Sequence, residues 1–283
     1  MEKVTIQTMQ ARKARGERIT VLTGYDAPAA RLISEAGIDA ILVGDSLGMV
    51  VHGMRSTLPV TMDMMVLHCQ AVSRGAAGPL LIGDMPYMSY QISLGEAKRN
   101  AARLLAEGGM DAVKLEGGER TAATVAALVG DGIAVQGHIG LTPQSVSAFG
   151  GFRVQGKSAE AARALLADAR ALEDAGAFSI VLEGIPARLA AAITARLRIP
   201  TIGIGAGAGC DGQVLVFHDL LGLSERAPKF AQPYADLGMA MRSAFEAWRH
   251  DVESGEFPGP SYAYEVDDET WRSIEDALEG DAT

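Results

Sequence analysis

The sequence predicts a single-domain (β/α)8 TIM barrel with an N-terminal helical segment and a C-terminal tail. Three observations carry this expectation. Eight short apolar runs punctuate the chain. Segments of helical period separate nearly all of them. The first strand-to-helix turn lacks the glycine fingerprint of an open dinucleotide-binding sheet. A chain of 283 residues, 48% of them hydrophobic, also suits one barrel core of about 250 residues.

Taken in order, Ile19–Leu22 reads as the first strand, and Pro28–Ala36 as a helix closed by Gly37. Ala40–Val43 and Met62–Arg74 form the second pair, Leu80–Ile82 and Ser93–Glu107 the third, and Ala112–Leu115 and Thr121–Val129 the fourth. Ala134–Gln136 is the fifth strand. The helix after it, Ala159–Ala175, is the clearest of all, an Ala/Leu/Arg/Asp segment ended by Gly176. Ser179–Leu182 and Ala187–Leu197 follow, then strands at Ile202 and Val214–Val216, and a final helix over Phe230–Arg249. Residues 251–283 are rich in Glu, Pro and Gly and are expected to wrap the surface or a neighbouring subunit. Without a linker, 1–283 is expected to form one domain.

Bulk properties narrow the function. A net charge of −10 repels nucleic acid and anionic membrane. No apolar run reaches the 18 residues of a membrane span, and the first residues lack the apolar core of a secretory signal. The only cysteines, Cys69 and Cys210, form no CxxC pair, which fits a reducing cytoplasm. A cytoplasmic enzyme with no nucleic-acid or membrane partner is expected.

Barrel active sites lie at the C-terminal ends of the strands. There the sequence places Asp45 and Ser46 past strand two, Asp84 past strand three, and Lys114 and Glu116 on one face of strand four. His138 follows strand five, Glu183 strand six and a glycine loop strand seven. An acidic residue at such a position is often only a helix cap. Two Gly-Asp strand endings together with Glu116 and Glu183 instead suggest a hard-oxygen cation site suited to Mg²⁺, with Lys114 placed for an anionic substrate. Gly44-Asp45-Ser46-Leu47-Gly48 matches both a GxSxG elbow and the GDSL tetrapeptide of some esterases, but the late Asp-x-x-His of the GDSL esterases is absent. Gly207, Gly209 and Gly212 match GxGxxG too late in the chain for a dinucleotide fold. His52, His68, His218 and His250 show no metal spacing.

The motifs GDSLGMVV (44–51), STLPVT (56–61), MSYQ (88–91), VKLEGG (113–118), GHIGLTPQS (137–145) and GIGAGAGCDGQVLV (203–216) closely resemble the ketopantoate hydroxymethyltransferase family, with the likeness running from about Val4 to Gly259. The resemblance implies Mg²⁺ or another divalent cation, and 5,10-methylenetetrahydrofolate as cosubstrate. It also implies conversion of 3-methyl-2-oxobutanoate to 2-dehydropantoate on the pantothenate pathway to coenzyme A. Asp45 and Asp84 then look like metal ligands that also meet substrate, with Glu116 nearby, bound directly or through water. Ser46 and Lys114 look like ligands of the substrate carboxylate, His138 lines the pocket, and Glu183 resembles the general base. Gly203, Gly205 and Gly207 are the candidates beside the cosubstrate. The family implies a homo-oligomer, commonly a decamer. Arg55, Tyr87 and Gln232 depart from its pattern. The rival expectation is a Mg-dependent lyase or mutase of the phosphoenolpyruvate mutase/isocitrate lyase type.

Overall fold

A computed structural model describes residues 2–146, 150–151 and 153–280. Eight parallel strands close into a barrel in simple sequence order, with β1 pairing β8 through Val21↔Val214. The strands are β1 Ile19–Thr23, β2 Ala40–Val43, β3 Leu80–Asp84, β4 Ala112–Glu116, β5 Val135–Gly140, β6 Ser179–Glu183, β7 Thr201–Ile204 and β8 Gly212–Leu215. The helices are α1 Ile6–Arg15, α2 Ala27–Glu35, α3 Leu47–Val50, α4 Met62–Gly75, α5 Leu94–Ala106, α6 Glu119–Gly130, α7 Ala159–Asp174, α8 Ala187–Thr194, α9 Phe217–Leu220, α10 Leu237–Ser254 and α11 Asp268–Gly280. No helix among the described residues is long and apolar enough to cross a membrane.

The alternation of each strand sorts its residues between two apolar layers. Ala40, Leu42, Leu80, Ile82, Ala112, Val181, Ile202 and Val214 belong to the inner cluster. Ile41, Val43, Leu81, Val113, Leu115 and Ile180 belong to the outer one, which receives the helices. Helix α7 shows how the outer layer is built. Ser158 caps its start through Ala161 N, and Leu165, Ala169 and Leu172 form its buried stripe. Each buried leucine contributes about 2 kcal/mol. Met9 of α1 is fully buried in the inner cluster, so the N-terminal helix plugs one end of the barrel.

Four differences from the sequence expectations have local causes. Strand β5 runs on to Gly140, so His138 lies within it rather than past it. Gly137 and Gly140 interrupt the apolar run; a Cβ on Gly137 would meet Leu172 at 2.7 Å, and Gly140, at the strand's end, has a φ of +97°. Helix α8 stops at Thr194, where the N–H groups of Arg196 and Leu197 turn back to residues only three earlier. The last long helix starts at Leu237 rather than Phe230, because Pro233 disfavours helix before it and Asp236 caps the helix through Met239 N at 3.0 Å. The tail itself contains α11, whose Trp271, Ile274 and Leu278 follow a helical period.

Internal contacts group the chain into two units, one reaching Ala235 and holding the barrel, the other starting at Asp236. In the second unit α10 buries none of its residues and exposes Met239, Met241, Phe245, Trp248 and Val252.

Candidate active site

The mouth of the barrel is built from the inward residues at the ends of β2 to β6. Neighbouring strands set Asp84 beside Lys114 and Glu116 beside His138 in register. Asp45 follows β2 by two residues. Gly44 leaves room at this turn, since a Cβ there would stand 2.9 Å from Ser46 Oγ. Asp45, Asp84, Lys114, Glu116 and His138 are all buried, and Glu183 is nearly so at 15% side-chain exposure.

Polar groups link these side chains into one network. Lys114 Nζ lies 2.9 Å from Asp84 Oδ1 and 3.3 Å from His138 Nδ1. Asp84 Oδ2 accepts the Asp45 N–H at 3.2 Å. His138 Nε2 stands 3.1 Å from Glu183 Oε2, and Nδ1 is 3.6 Å from Glu116 Oε1. Ser46 Oγ is 2.9 Å from the Tyr25 hydroxyl, and among the described residues no histidine is hydrogen-bonded to it as an esterase nucleophile would need.

Charge is unbalanced here. Burial, then repulsion from Asp84, pushes the Asp45 carboxyl up to about 7. Burial likewise pushes Glu116 well above the usual carboxylate range. For Lys114 burial works against the ammonium, yet Asp84, Glu116 and Asp45 outweigh it and hold the group above its ordinary value. His138 is pushed down by burial and by Lys114, so it is neutral at pH 7. Because Lys114 donates to Nδ1, the ring proton sits on Nε2, which lies 3.1 Å from Glu183 Oε2 without a well-aligned hydrogen bond.

The donor set fits Mg²⁺. It is all hard oxygen, and Asp84 Oδ1 is buried without a well-aligned hydrogen bond. Among the described residues no three acid, histidine or cysteine groups form a closed cage. Mg²⁺ needs none, since one or two carboxylates with water and substrate oxygens complete its octahedron.

Three residues in this network were not singled out in the sequence. Gln144, in the single turn Pro143–Ser145 after β5, donates to Asp45 Oδ2 at 3.0 Å. Tyr90 bonds the Glu116 backbone and Gln144. Tyr25 meets Ser46. Gln144 and Tyr90 lie inside the GHIGLTPQS and MSYQ motifs, which were the only signal.

The glycine loop is shaped by packing. Gly205 and Gly207 have φ of +61° and +76°, and Cβ atoms there would meet the Phe230 ring at 2.7 Å and Ala187 Cβ at 2.4 Å. A Cβ on Gly203 would meet Cys210 Sγ and Gln213 at 2.9 Å. Arg55, Tyr87 and Gln232 are exposed.

A sequence model described as ketopantoate hydroxymethyltransferase matches residues 3–260. The chain is 55% identical over 269 residues to a 3-methyl-2-oxobutanoate hydroxymethyltransferase of Heliobacterium modesticaldum, covering 95% of this chain and 98% of that one. In fold it is similar to phosphonopyruvate hydrolase solved in complex with oxalate and Mg²⁺, at a TM-score of 0.58 and 13% identity, covering 99% and 98% of the two chains. It is also similar to 2,3-dimethylmalate lyase, described as a PEP mutase/isocitrate lyase superfamily member, at 0.57 and 19%, covering 100% and 99%. These two likenesses concern the fold alone, so the lyase/mutase alternative is matched only as a shared architecture.

Proposed function

The chain belongs to the ketopantoate hydroxymethyltransferase family, and from that premise we propose that it moves a hydroxymethyl group from 5,10-methylenetetrahydrofolate to 3-methyl-2-oxobutanoate, giving 2-dehydropantoate. The observation that carries this reading is the convergence of Asp45, Asp84 and Glu116 around the single ammonium of Lys114, with Asp45 and Glu116 driven toward protonation. Such a mouth suits a divalent cation and an anionic substrate.

Asp45 and Asp84, with Glu116 directly or through water, would hold Mg²⁺, the metal named for one neighbour of this fold. When bound, the cation supplies Lewis-acid withdrawal of electron density from the ketone oxygen. Lys114 and the Ser46 hydroxyl bind the substrate carboxylate. Glu183 takes the proton from carbon 3, beside the ketone. Neutral His138, whose Nε2 stands 3.1 Å from Glu183 Oε2, lines the pocket beside that carboxylate. Water hydrolyses both carbon–nitrogen bonds of the folate's methylene bridge, freeing tetrahydrofolate and formaldehyde; the electron pair left on carbon 3 attacks the formaldehyde carbon, and the resulting alkoxide takes up a proton to complete the hydroxymethyl group. Residues 203–209 border the folate in this reading. Their loop starts beside the base, since Gly184 N–H donates to Ile204 O at 2.9 Å.

The reading includes a cytoplasmic home, which suits two free buried cysteines. It includes a homo-oligomer, in the family's form a decamer, for which the exposed apolar residues of α10 give support. Light scattering should then give a mass several times 29.6 kDa, and a monomer mass at micromolar concentration would refute it. The decisive assay mixes purified protein with 3-methyl-2-oxobutanoate, 5,10-methylenetetrahydrofolate and Mg²⁺. Formation of 2-dehydropantoate is expected. No product, and no exchange of the carbon-3 proton with deuterated water, would sink the assignment.

A further inference from the structure

We infer that Gln144 is a positioning residue, which presets one free oxygen on each of Asp45 and Glu116 for the divalent cation. The inference rests on the cation site proposed above and adds a residue to it. Gln144 is buried and comes from the turn after β5, far from both carboxylates in sequence. Its Nε2 donates to Asp45 Oδ2 at 3.0 Å and to the Met85 carbonyl at 2.9 Å. Its backbone N–H donates to Glu116 Oε2 at 3.0 Å. One residue therefore engages one oxygen on each of two carboxylates.

The direction of the amide is dictated. Oε1 accepts from the Tyr90 hydroxyl at 2.8 Å, and the Tyr90 oxygen accepts the Glu116 N–H at 3.1 Å. A flipped amide would aim its oxygen at the Asp45 carboxylate and the Met85 carbonyl, acceptor against acceptor. With Oδ2 of Asp45 and Oε2 of Glu116 engaged, Oδ1 and Oε1 are left over. Neither has a hydrogen bond among the described residues, and Glu116 Oε1 stands 3.6 Å from Nδ1 of the neutral His138 ring. Asp84 follows the same pattern, with Oδ2 on the Asp45 N–H and Oδ1 unpaired except for the Lys114 charge. Ligating carboxylates are commonly fixed in this way by outer partners, whose loss costs 10–100-fold in metal affinity.

A residue that only secured the turn after β5 would affect melting temperature and leave the affinity of the folded protein alone. The test therefore measures Mn²⁺ binding to the whole enzyme without substrate, counting free Mn²⁺ by electron paramagnetic resonance. Gln144→Met keeps the length and removes the donor. The expected result is binding about 10–100-fold weaker than the parent in a protein that still folds. Affinity within about twofold of the parent overturns the inference. Should Gln144→Met not fold, Gln144→Asn carries the test, because it keeps the backbone donor to Glu116 and withdraws the amide from Asp45. A smaller loss in the same direction supports the role, and unchanged affinity overturns it. If the parent enzyme itself binds no Mn²⁺, the cation reading fails and this inference with it. That failure is distinct from one confined to Gln144, where the parent binds and the variant binds equally.

Discussion

Asp39, Asp111 and Asp211 stand one residue before β2, β4 and β8 and are satisfied there, whereas Asp45, Asp84 and Glu116, near the other ends of β2, β3 and β4, are not. Asp39 accepts the Thr20 N–H and hydroxyl at 2.9 Å each and pairs with Arg12 at 2.8 Å. Asp111 accepts the Leu81 N–H at 2.8 Å and pairs with Lys3 at 2.6 Å. Asp211 accepts the Thr201 N–H at 2.8 Å and pairs with Lys13 at 2.7 Å. Each aspartate thus caps a free N–H of the preceding strand and meets a cation from the N-terminal segment. At the mouth three carboxylates share Lys114, and burial raises Asp45 and Glu116. The same residue type closes the floor and leaves the mouth short of positive charge. A barrel floor serves stability and its mouth serves chemistry, and here the charge balance alone separates the two.

The strongest challenge to this contrast is Glu183→Gln. In the proposed role as base, Glu183 should carry proton removal, so the exchange rate at carbon 3 in deuterated water should fall by about 10²–10⁴ while substrate and Mn²⁺ still bind. NMR reads the exchange. A variant that exchanges as fast as the parent would remove Glu183 from the role, and weakened Mn²⁺ binding would make it a ligand instead.

The second challenge uses pH. Asp45 binds its proton more tightly in the folded protein than in the unfolded chain, because its carboxyl is raised to about 7. Between the ordinary carboxylate range near 4 and that value, the folded state holds more protons, so Asp45's contribution to stability falls as pH rises through this window. Calorimetry of chelator-treated protein should show the parent losing melting temperature relative to Asp45→Asn across it. Saturating Mg²⁺ should abolish the loss by favouring the charged form. Parallel pH profiles for parent and variant would show that the mouth is not frustrated.

The floor and the mouth were not equally legible in the sequence. Asp45, Asp84, Glu116 and Glu183 could be found because a strand's end is visible where an apolar run stops, and all four stand there. Lys114 and Glu116 could be put on one face from a period of two. Gln144, Tyr90 and Tyr25 could not, since a neutral side chain gains its meaning only from the partner across the barrel. The floor aspartates likewise gain their meaning only from Arg12, Lys13 and Lys3, which the fold brings beside them. Helix α11 was hidden by the Pro- and Gly-rich composition around it, although Trp271, Ile274 and Leu278 repeat at helical spacing.

At the floor, Asp39→Ala should lower stability by about 2–3 kcal/mol, because it strips a charged acceptor from a backbone N–H, a hydroxyl and Arg12. Denaturant unfolding measures this. Mn²⁺ affinity and carbon-3 exchange of the folded variant should match the parent, and a loss of either would mean that floor and mouth are coupled.

The mildest effect is expected at Gly205, where the contrast is sharpened because a residue at the mouth should behave like one at the floor. Its φ of +61° disfavours any side chain, and a Cβ would press on the Phe230 ring at 2.7 Å. Gly205→Ala should therefore cost about 1–2 kcal/mol of stability, the penalty for a left-handed alanine, with some further shift of Phe230. Thermal unfolding reads the loss. Carbon-3 exchange without folate should be unchanged, since the proposed base Glu183 stands on β6 and not on this loop. In the complete reaction KM for the folate should rise if residues 203–209 border it. A variant with parent stability but slowed exchange would show that the loop holds the base, and position at the mouth would then outweigh packing in deciding what a residue does.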